Sequence, residues 1–252
     1  MRLNNEVALI TGGGSGMGRA GAIRFAAEGA RVVVVDINKE AAEETRDLIA
    51  QAGGEAIAVR ADAASAADNE AAVAAAIERF GKLTIVWANA GIPAPATPIE
   101  ETAPETFDRL FAVNSRGPWL AARAAAPALR EAGGGSIVIT ASLSGLKGRP
   151  GNSAYASSKG AAAMLTKALA VEFAPDIRVN SVCPVATDTP MLPEFTKTAP
   201  DPDAARDKVV SGIPMKRLAT ADDIANAALF LASSEAAMIT GHNLPVDGGS
   251  LA

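Results

Sequence analysis

The sequence predicts an α/β fold in which a single domain over residues 1–252 carries a doubly wound, seven-stranded parallel sheet with helices on both faces. Two patterns predict it: short β-branched runs alternate with alanine-rich stretches of helical length, and most of those runs are apolar throughout. Strands that are apolar throughout are covered on both faces, as in a parallel sheet, and the β-α-β-α order favours right-handed crossovers. No linker or internal repeat divides the chain, and 49% hydrophobic residues provide for one large core.

Each strand is predicted from a β-branched or otherwise apolar run, and the runs cover residues 7–11, 31–36, 55–60, 83–90, 136–142, 177–184 and 243–248. The stretches between them predict helices over residues 16–28, 39–52, 66–80, 104–131, 152–174 and 220–234. Residues 185–215 are rich in Pro, Thr and Asp and follow a strand, where open α/β sheets bind ligands. We therefore expect an irregular substrate-binding loop or lid there.

Composition narrows the classes of function. The net charge is −5 and no basic cluster is present, so nothing favours nucleic acid or an anionic membrane as partner. Cys183 is the single cysteine and His242 the single histidine, which excludes an intramolecular disulfide and a metal site built from several Cys or His ligands. Both residues are expected to be structural. The first residues lack the apolar stretch of a signal peptide and no run has the length of a membrane span, so a cytoplasmic protein is expected.

A glycine turn follows the first predicted strand and opens the first helix. It reads Thr-Gly-Gly-Gly-Ser-Gly-Met-Gly, and its predicted cofactor-binding residues are Gly12, Ser15, Gly16, Met17 and Gly18. Glycines allow a tight turn and close approach of the backbone to a phosphate, and the helix N-terminus offers N–H groups and a positive dipole end. A Walker loop is excluded because Arg and Ala follow the last glycine, and no Gly-x-Ser-x-Gly elbow occurs in the chain. The turn predicts a dinucleotide site on a Rossmann-type sheet; an ordinary tight turn is the alternative.

Asp36 ends the second predicted strand, 18 residues beyond Gly18. A carboxylate at this point can accept hydrogen bonds from the adenosine ribose hydroxyls, and it would repel the additional phosphate of NADP. No arginine follows Asp36 directly and Ser15 is uncharged, so we expect NAD(H) to be favoured over NADP(H). The alternative for Asp36 is an ordinary acidic residue at a helix N-terminus.

Tyr155 and Lys159 are four residues apart in a predicted helix and therefore share one face. A tyrosine pKa is near 10, and lowering it to about 7 requires about 4 kcal/mol. One cation at about 4 Å supplies about that much at an effective dielectric constant near 20. We therefore expect Lys159 to lower the pKa of Tyr155 for acid–base catalysis, although a surface Tyr–Lys contact has the same spacing. Ser142, where the strand 136–142 ends, is expected to donate to the substrate oxygen, and Ser144 is a weaker candidate.

Together these motifs resemble the short-chain dehydrogenase/reductase family in its form of about 250 residues, over essentially the whole chain. The resemblance implies a sheet order of 3-2-1-4-5-6-7 and a catalytic tetrad of Asn114, Ser142, Tyr155 and Lys159. In it, Asn114 would hold a water relay near Lys159, and Lys159 would also bind the nicotinamide ribose. The matches also imply further cofactor contacts at Asp62, Ala63, Asn89, Gly91, Pro184, Val185 and Thr187. Family members commonly form tetramers through two helices that correspond to about 115–131 and 155–173, so a homotetramer is expected.

Two positions depart from the family pattern. Ala88 stands where the family often has Asn, and Val185 stands where it usually has Gly, next to the expected nicotinamide. The expected substrate pocket is largely apolar, which suits a neutral alcohol or ketone, and comprises Ser142, Leu143, Ser144, Asn152, Tyr155, Val185, Met191 and Leu192. Lys147 and Arg149 could instead receive a carboxylate or a carrier phosphate.

The favoured function is an NAD(H)-dependent oxidoreductase that interconverts a secondary alcohol and a ketone. One alternative is a 3-oxoacyl-(acyl-carrier-protein) reductase, which would normally use NADPH. Another, of a different class, is a non-catalytic nucleotide sensor on the same fold, although such a protein could dispense with Tyr155 or Lys159. A hydrolase is disfavoured because His242 would have to be its base.

Overall fold

The computed structural model describes residues 1–197 and 201–252. Within them a parallel sheet has the order β3-β2-β1-β4-β5-β6-β9, and a separate two-stranded ladder pairs β7 with β8. The strands are β1 (Val7–Thr11), β2 (Arg31–Asp36), β3 (Ala56–Arg60), β4 (Ile85–Ala88), β5 (Gly135–Thr140), β6 (Ile177–Pro184), β7 (Thr187–Asp188), β8 (Ala219–Thr220) and β9 (Asn243–Val246). Since β9 is the seventh strand of the main sheet, the predicted α/β class and the order 3-2-1-4-5-6-7 are confirmed.

Helices connect the strands and cover both faces of the sheet. Their bounds are α1 (Gly16–Ala27), α2 (Lys39–Gln51), α3 (Ala66–Phe80), α4 (Pro104–Phe111), α5 (Gly117–Glu131), α6 (Ser153–Phe173), α7 (Leu192–Thr196), α8 (Pro202–Ser211) and α9 (Ala221–Ala232). Side-chain caps fix several starts: Asn38 accepts from the Ala41 amide, and Thr220 forms a capping box with Asp223. In the described part of the chain, no helix combines the length and the apolar composition that crossing a bilayer requires.

The core lies in two layers, because successive side chains of a strand point to opposite faces. Leu9 of β1 belongs to the layer under α3, α5 and α6, whereas Ile10 belongs to the layer under α1 and α9. Trp87 lies in the second layer, fully buried and stacked on Phe25 of α1. Burial of both faces explains why the strands are apolar throughout.

Two predicted elements differ most from the structure. The strand predicted over 83–90 is ordered as β4 only from Ile85 to Ala88, because the Asn89 amide turns back to the Trp87 carbonyl. The single helix predicted over 104–131 is interrupted by a π-helical turn at Ala112–Arg116, which separates α4 from α5. Such turns carry one residue more than an α-helical turn and are frequent at functional sites.

The irregular structure expected over 185–215 is wrong for most of its described residues. That segment contains β7, α7 and α8, and positions 198–200 lie outside the described residues. Helix α8 begins on two recognisable signals: Asp201 accepts from the Ala204 amide, and Pro202 occupies the first turn. A role of this segment in substrate binding stays a prediction.

Candidate active site

The carboxyl ends of β1, β4, β5 and β6 meet at one edge of the sheet, and a cavity of about 180 Å³ opens there. Open α/β sheets bind ligands at this edge, where the strand order reverses. The cavity lining includes Ser142, Tyr155 and Lys159. It also includes every other residue expected to contact substrate, namely Leu143, Ser144, Asn152, Val185, Met191 and Leu192.

The glycine turn lies beside this cavity and is shaped for close approach. Gly12 and Gly16 have φ values of +65° and +51°, in the left-handed region that favours glycine. A Cβ on Gly18 would lie 2.0 Å from the Gly12 carbonyl oxygen, so no other residue fits there. The exposed Ser15 side chain does not cap α1, and no acidic residue lies in the first turn. This helix end therefore fits a dinucleotide phosphate.

Asp36 lies at the carboxyl end of β2 and touches the glycine turn. Its Oδ2 accepts from the Gly14 amide at 2.9 Å, and its Oδ1 accepts from the Asn38 amide at 3.0 Å. Each carboxylate oxygen keeps a further acceptor position. The carboxylate is thus held in place by two backbone donors while it can still accept from a ribose hydroxyl.

A buried polar network connects the glycine turn to the lysine. Asn89 donates through Nδ2 to the Thr11 carbonyl at 3.1 Å, and Thr140 donates through Oγ1 to Asn89 Oδ1 at 3.1 Å. The Trp87 indole donates to Thr140 Oγ1 at 2.9 Å. Lys159 Nζ donates to the Thr140 carbonyl at 2.7 Å, which fixes the ammonium group at the cavity wall. Sequence reasoning missed both Trp87 and Thr140, since no local pattern distinguishes them from other strand residues.

Asn114 lies in the π-helical turn, fully buried behind the cavity wall. Its amide is held by the backbone of Ile92: Oδ1 accepts at 2.8 Å and Nδ2 donates at 3.0 Å. A Cβ on Gly91 would lie 3.1 Å from Asn114 Oδ1 and 3.2 Å from Lys159 Nζ. Because residue 91 has no side chain, the amide of Asn114 and the ammonium group of Lys159 can both lie close to its backbone.

The comparisons with known proteins agree with this geometry. Residues 12–250 match the model of a family described as Enoyl-(Acyl carrier protein) reductase. The chain is 45% identical over 249 residues to 2,5-dichloro-2,5-cyclohexadiene-1,4-diol dehydrogenase of Sphingobium indicum, with 98% of this chain and 97% of that protein covered. The chain belongs to the short-chain dehydrogenase/reductase family.

Two solved structures of short-chain dehydrogenases/reductases are similar over nearly their full length. Levodione reductase aligns with a TM-score of 0.96 at 36% identity and covers 100% of both chains. A 3-ketoacyl-(acyl-carrier-protein) reductase from Brucella melitensis, complexed with NADH, aligns with a TM-score of 0.90 at 44% identity and covers 98% of this chain and 99% of that one. The chain is accordingly an oxidoreductase that interconverts alcohols and ketones with a nicotinamide cofactor.

Burial shifts the pKa values of Tyr155 and Lys159, the candidate acid–base pair of this dehydrogenase/reductase. It raises the pKa of Tyr155 to about 12, although a hydrogen bond from Ser142 acts in the opposite direction. Burial also lowers the pKa of Lys159 to about 8. The rise caused by burial therefore exceeds the effect of that hydrogen bond, and the expected lowering of the Tyr155 pKa by Lys159 stays a prediction.

The remaining residues of the expected cofactor site divide into two groups. Met17, Asn89, Gly91, Pro184, Val185 and Thr187 line the cavity. The residues on the β1–β3 side do not line it, and the members of that group are Gly12, Ser15, Gly16, Gly18, Asp36, Asp62 and Ala63. Asp62 follows β3, and its Oδ1 accepts from the Ala64 amide at 2.9 Å. This separation matches an elongated dinucleotide with one end in the cavity.

Val185 stands where the family usually has glycine, but its φ is not positive, so the valine causes no backbone strain. Among the described residues, Asn5 and Lys216 are the only non-glycine residues with positive φ. The buried side chain of Val185 narrows the cavity instead. Phe195 of α7 also lines the cavity and packs edge-on against the Tyr155 ring, with centroids 5.4 Å apart. Cys183 is buried, as expected. In residues 1–197 and 201–252, no group of three or more His, Cys, Asp or Glu residues is placed to hold a metal ion.

Proposed function

We propose that this protein is an NAD(H)-dependent oxidoreductase that interconverts a secondary alcohol and a ketone, with Tyr155 as the proton-transfer residue. One observation carries the proposal: Tyr155, Ser142 and Lys159 converge on an apolar cavity beside the glycine turn. In that cavity a substrate oxygen can meet the phenol and the serine hydroxyl together.

Each catalytic residue has a distinct task in this proposal. A bound nicotinamide supplies or accepts the hydride. Ser142 donates a hydrogen bond to the substrate oxygen, and Tyr155 gives that oxygen its proton or takes it away. Lys159, fixed on the Thr140 carbonyl, stabilises the phenolate form of Tyr155 and binds the nicotinamide ribose. Asn114 holds a water relay behind Lys159.

Cofactor binding is assigned to the two groups of residues described above. The glycine turn and the α1 N-terminus receive the diphosphate, and Asp62 with Ala63 contact the adenine side. Pro184, Val185 and Thr187 contact the nicotinamide. Asp36 accepts from the ribose hydroxyls and excludes the additional phosphate of NADP(H), so NAD(H) is preferred. The NADH complex of the similar Brucella reductase supports this preference.

A 3-oxoacyl-(acyl-carrier-protein) reductase is the second candidate, favoured by the 44% identity to the Brucella protein of that name. A non-catalytic nucleotide sensor is less well supported, because the Tyr155 and Lys159 side chains are both present and both line the cavity. We further propose that the enzyme acts in the cytoplasm as a homotetramer, with a small-molecule alcohol or ketone as its partner rather than nucleic acid or membrane.

A substrate panel tests these functions directly. Secondary alcohols, ketones and an acetoacetyl thioester would each be mixed with NAD(H) or NADP(H), and turnover followed at the nicotinamide absorbance. We expect turnover of secondary alcohols with NAD. Turnover confined to the thioester with NADPH would favour the carrier-protein reductase instead.

Replacement of the phenol tests the proton-transfer role. Tyr155→Phe keeps the ring packed against Phe195 and removes the hydroxyl. We expect kcat/KM to fall by about 10²- to 10⁴-fold, the usual contribution of a positioned acid–base group. NADH binding, followed by fluorescence titration, should persist and shows that the variant is folded. Full turnover by Tyr155→Phe would contradict the assignment, and cofactor binding without turnover of any panel member by the wild type would favour the sensor.

A further inference from the structure

A second cavity of about 610 Å³ adjoins the catalytic one. The two share four lining residues, Arg149, Val185, Phe195 and Val209, so the second is an extension of the first away from the reacting groups. Val185 and Phe195 lie at the junction. A substrate whose carbinol lies near Tyr155 can therefore extend past these two side chains into the second cavity.

One face of α8 forms a wall of this extension. Its lining residues Ala205, Lys208 and Val209, with Gly212 at the helix end, follow the spacing of one helical face. The helix carries Asp203 and Asp207 as well, but neither lines the cavity. The helix thus turns a lysine toward the cavity and its carboxylates elsewhere.

Two cations and no carboxylate line the extension within the described residues. Lys208 comes from α8, and Arg149 comes from the loop between β5 and α6. Among residues 1–197 and 201–252, neither Lys208 Nζ nor the Arg149 guanidinium has a hydrogen-bond or ion-pair partner of its own. The nearby Lys147, by contrast, donates to the Ser250 carbonyl at 3.1 Å, and it lines neither cavity.

Charges of one sign in a cleft with apolar walls concentrate the electrostatic potential there and attract the opposite charge. The other walls of the extension are apolar side chains, among them Pro150, Phe195 and Ile213. A planar guanidinium also binds an oxyacid group through two parallel hydrogen bonds. The arrangement therefore suits an organic molecule that has an apolar body and an acidic end.

We propose that the preferred substrates carry a carboxylate, sulfonate or phosphate group remote from the reacting carbon, and that Arg149 and Lys208 bind this group. The inference rests on the proposed function, since the acidic end is placed relative to a carbinol at Tyr155. In this proposal Arg149 and Lys208 determine which substrates bind, and they take no part in hydride or proton transfer.

Binding of non-reacting probes tests the subsite independently of turnover. The wild-type protein saturated with NAD would be titrated calorimetrically with cyclohexanecarboxylate and with the neutral cyclohexanecarboxamide. Cyclohexanesulfonate and cyclohexyl phosphate distinguish the three acidic groups. We expect at least one of the acids to bind about fivefold more tightly than the amide, as a partly exposed ion pair allows, and the difference to shrink at high salt.

Matched variants decide which charges are responsible. Arg149→Met and Lys208→Met should each reduce the preference for the acid, and Arg149→Lys should restore part of it. Arg206→Met removes the same charge from α8 outside the cavity lining and should leave the preference intact. Equal binding of acid and amide, an unchanged preference in the double variant, or an equal loss in Arg206→Met would each overturn the inference. Turnover of secondary alcohols by the wild type tests the proposed reaction separately. The proposed reaction and the acid-binding subsite can therefore each be contradicted without the other.

Discussion

Tyr155 and Lys159 illustrate how burial acts on acids and bases in opposite directions. Removing a group from water penalises its charged form, so the pKa of the buried phenol rises and that of the buried ammonium falls. In the cofactor-free protein, both groups are therefore biased toward their neutral forms. A phenolate at neutral pH therefore requires a compensating positive charge close to the Tyr155 oxygen.

The buried lysine makes stability depend on pH. Its pKa is about 8 in the folded protein against an ordinary value of 10.5, so between these values the unfolded chain holds a proton that the folded chain has lost. Stability therefore rises with pH across that window, by up to about 3 kcal/mol from this group. We expect Lys159→Met to abolish this share of the rise.

Urea unfolding of the cofactor-free wild type and Lys159→Met from pH 7.5 to 10 measures this difference. The window stops at pH 10 because Tyr155 acts in the opposite sense above it: its raised pKa makes stability fall as pH rises toward 12. If the difference in free energy of unfolding between the two proteins did not change with pH, the lysine would not be buried as a neutral base.

Asp36 is a single residue that is expected to determine whether NAD(H) or NADP(H) is preferred. Asp36→Ser removes the negative charge while a small polar side chain remains at the end of β2. We expect kcat/KM with NADP to rise about tenfold or more and kcat/KM with NAD to fall, since repulsion of the ribose phosphate is relieved and an acceptor is lost. Kinetics with both cofactors measure the ratio, and a ratio that stays unchanged would show that another residue makes the choice.

At the scale of elements, the contact between α1 and β4 fixes the glycine turn against the sheet. A Cβ on Gly21 would lie 1.9 Å from Trp87 Cζ3, so the helix can approach β4 only with glycine there. The same tryptophan donates to Thr140, whose carbonyl receives Lys159. The packing of one helix on one strand thus connects the glycine turn to Lys159.

Two matched glycine substitutions test this packing. Gly21→Ala should lower the free energy of unfolding by about 1 to 3 kcal/mol or more, because the core is overpacked at Trp87. Gly160→Ala in α6 meets only the Gly145 carbonyl, at 3.5 Å, and should raise stability by up to about 1 kcal/mol through helix propensity. Chemical denaturation measures both, and equal effects of the two substitutions would contradict the packing argument.

The whole molecule brings its site together at one edge of the sheet. β1 lies between β2 and β4, so the chain builds the sheet outward in both directions from it, and the connections leave on opposite faces. The crevice forms beside β1, where the chain reverses the direction in which it adds strands to the sheet. Every strand that borders it contributes its carboxyl end, which explains how residues as far apart in sequence as Met17 and Thr187 line one cavity.

For the whole molecule, the exposed faces of two helices predict how copies of the chain assemble. Met164 and Val171 of α6 are 62% and 83% exposed, and they are seven residues apart on one face. Trp119 of α5 is also exposed. We expect these two helices to pair with their copies in a homotetramer, as the family resemblance implies.

A charge on that face should disrupt the assembly. Val171→Glu is expected to convert the tetramer to a smaller species in sedimentation or light-scattering measurements, because a carboxylate cannot be buried in an apolar interface without a partner. Ile99→Glu is the control, since Ile99 is exposed but lies outside α5 and α6. An unchanged mass for Val171→Glu would place the interface elsewhere.

The sequence by itself predicted the seven strands of the main sheet, the glycine turn, Asp36 and the candidate catalytic side chains. Strand periodicity, turn chemistry and short spacings are local, so they can be read from neighbouring residues. The signals that begin α8 at Asp201 and Pro202 are local too, and they could have corrected the expectation of an irregular segment.

Tertiary structure alone decided the connection from Trp87 through Thr140 to Lys159, the direction of the Tyr155 pKa and the cationic extension at Arg149 and Lys208. Each depends on which groups from distant parts of the chain come together. Desolvation and close packing are properties of the assembled neighbourhood, and no spacing along the chain encodes them.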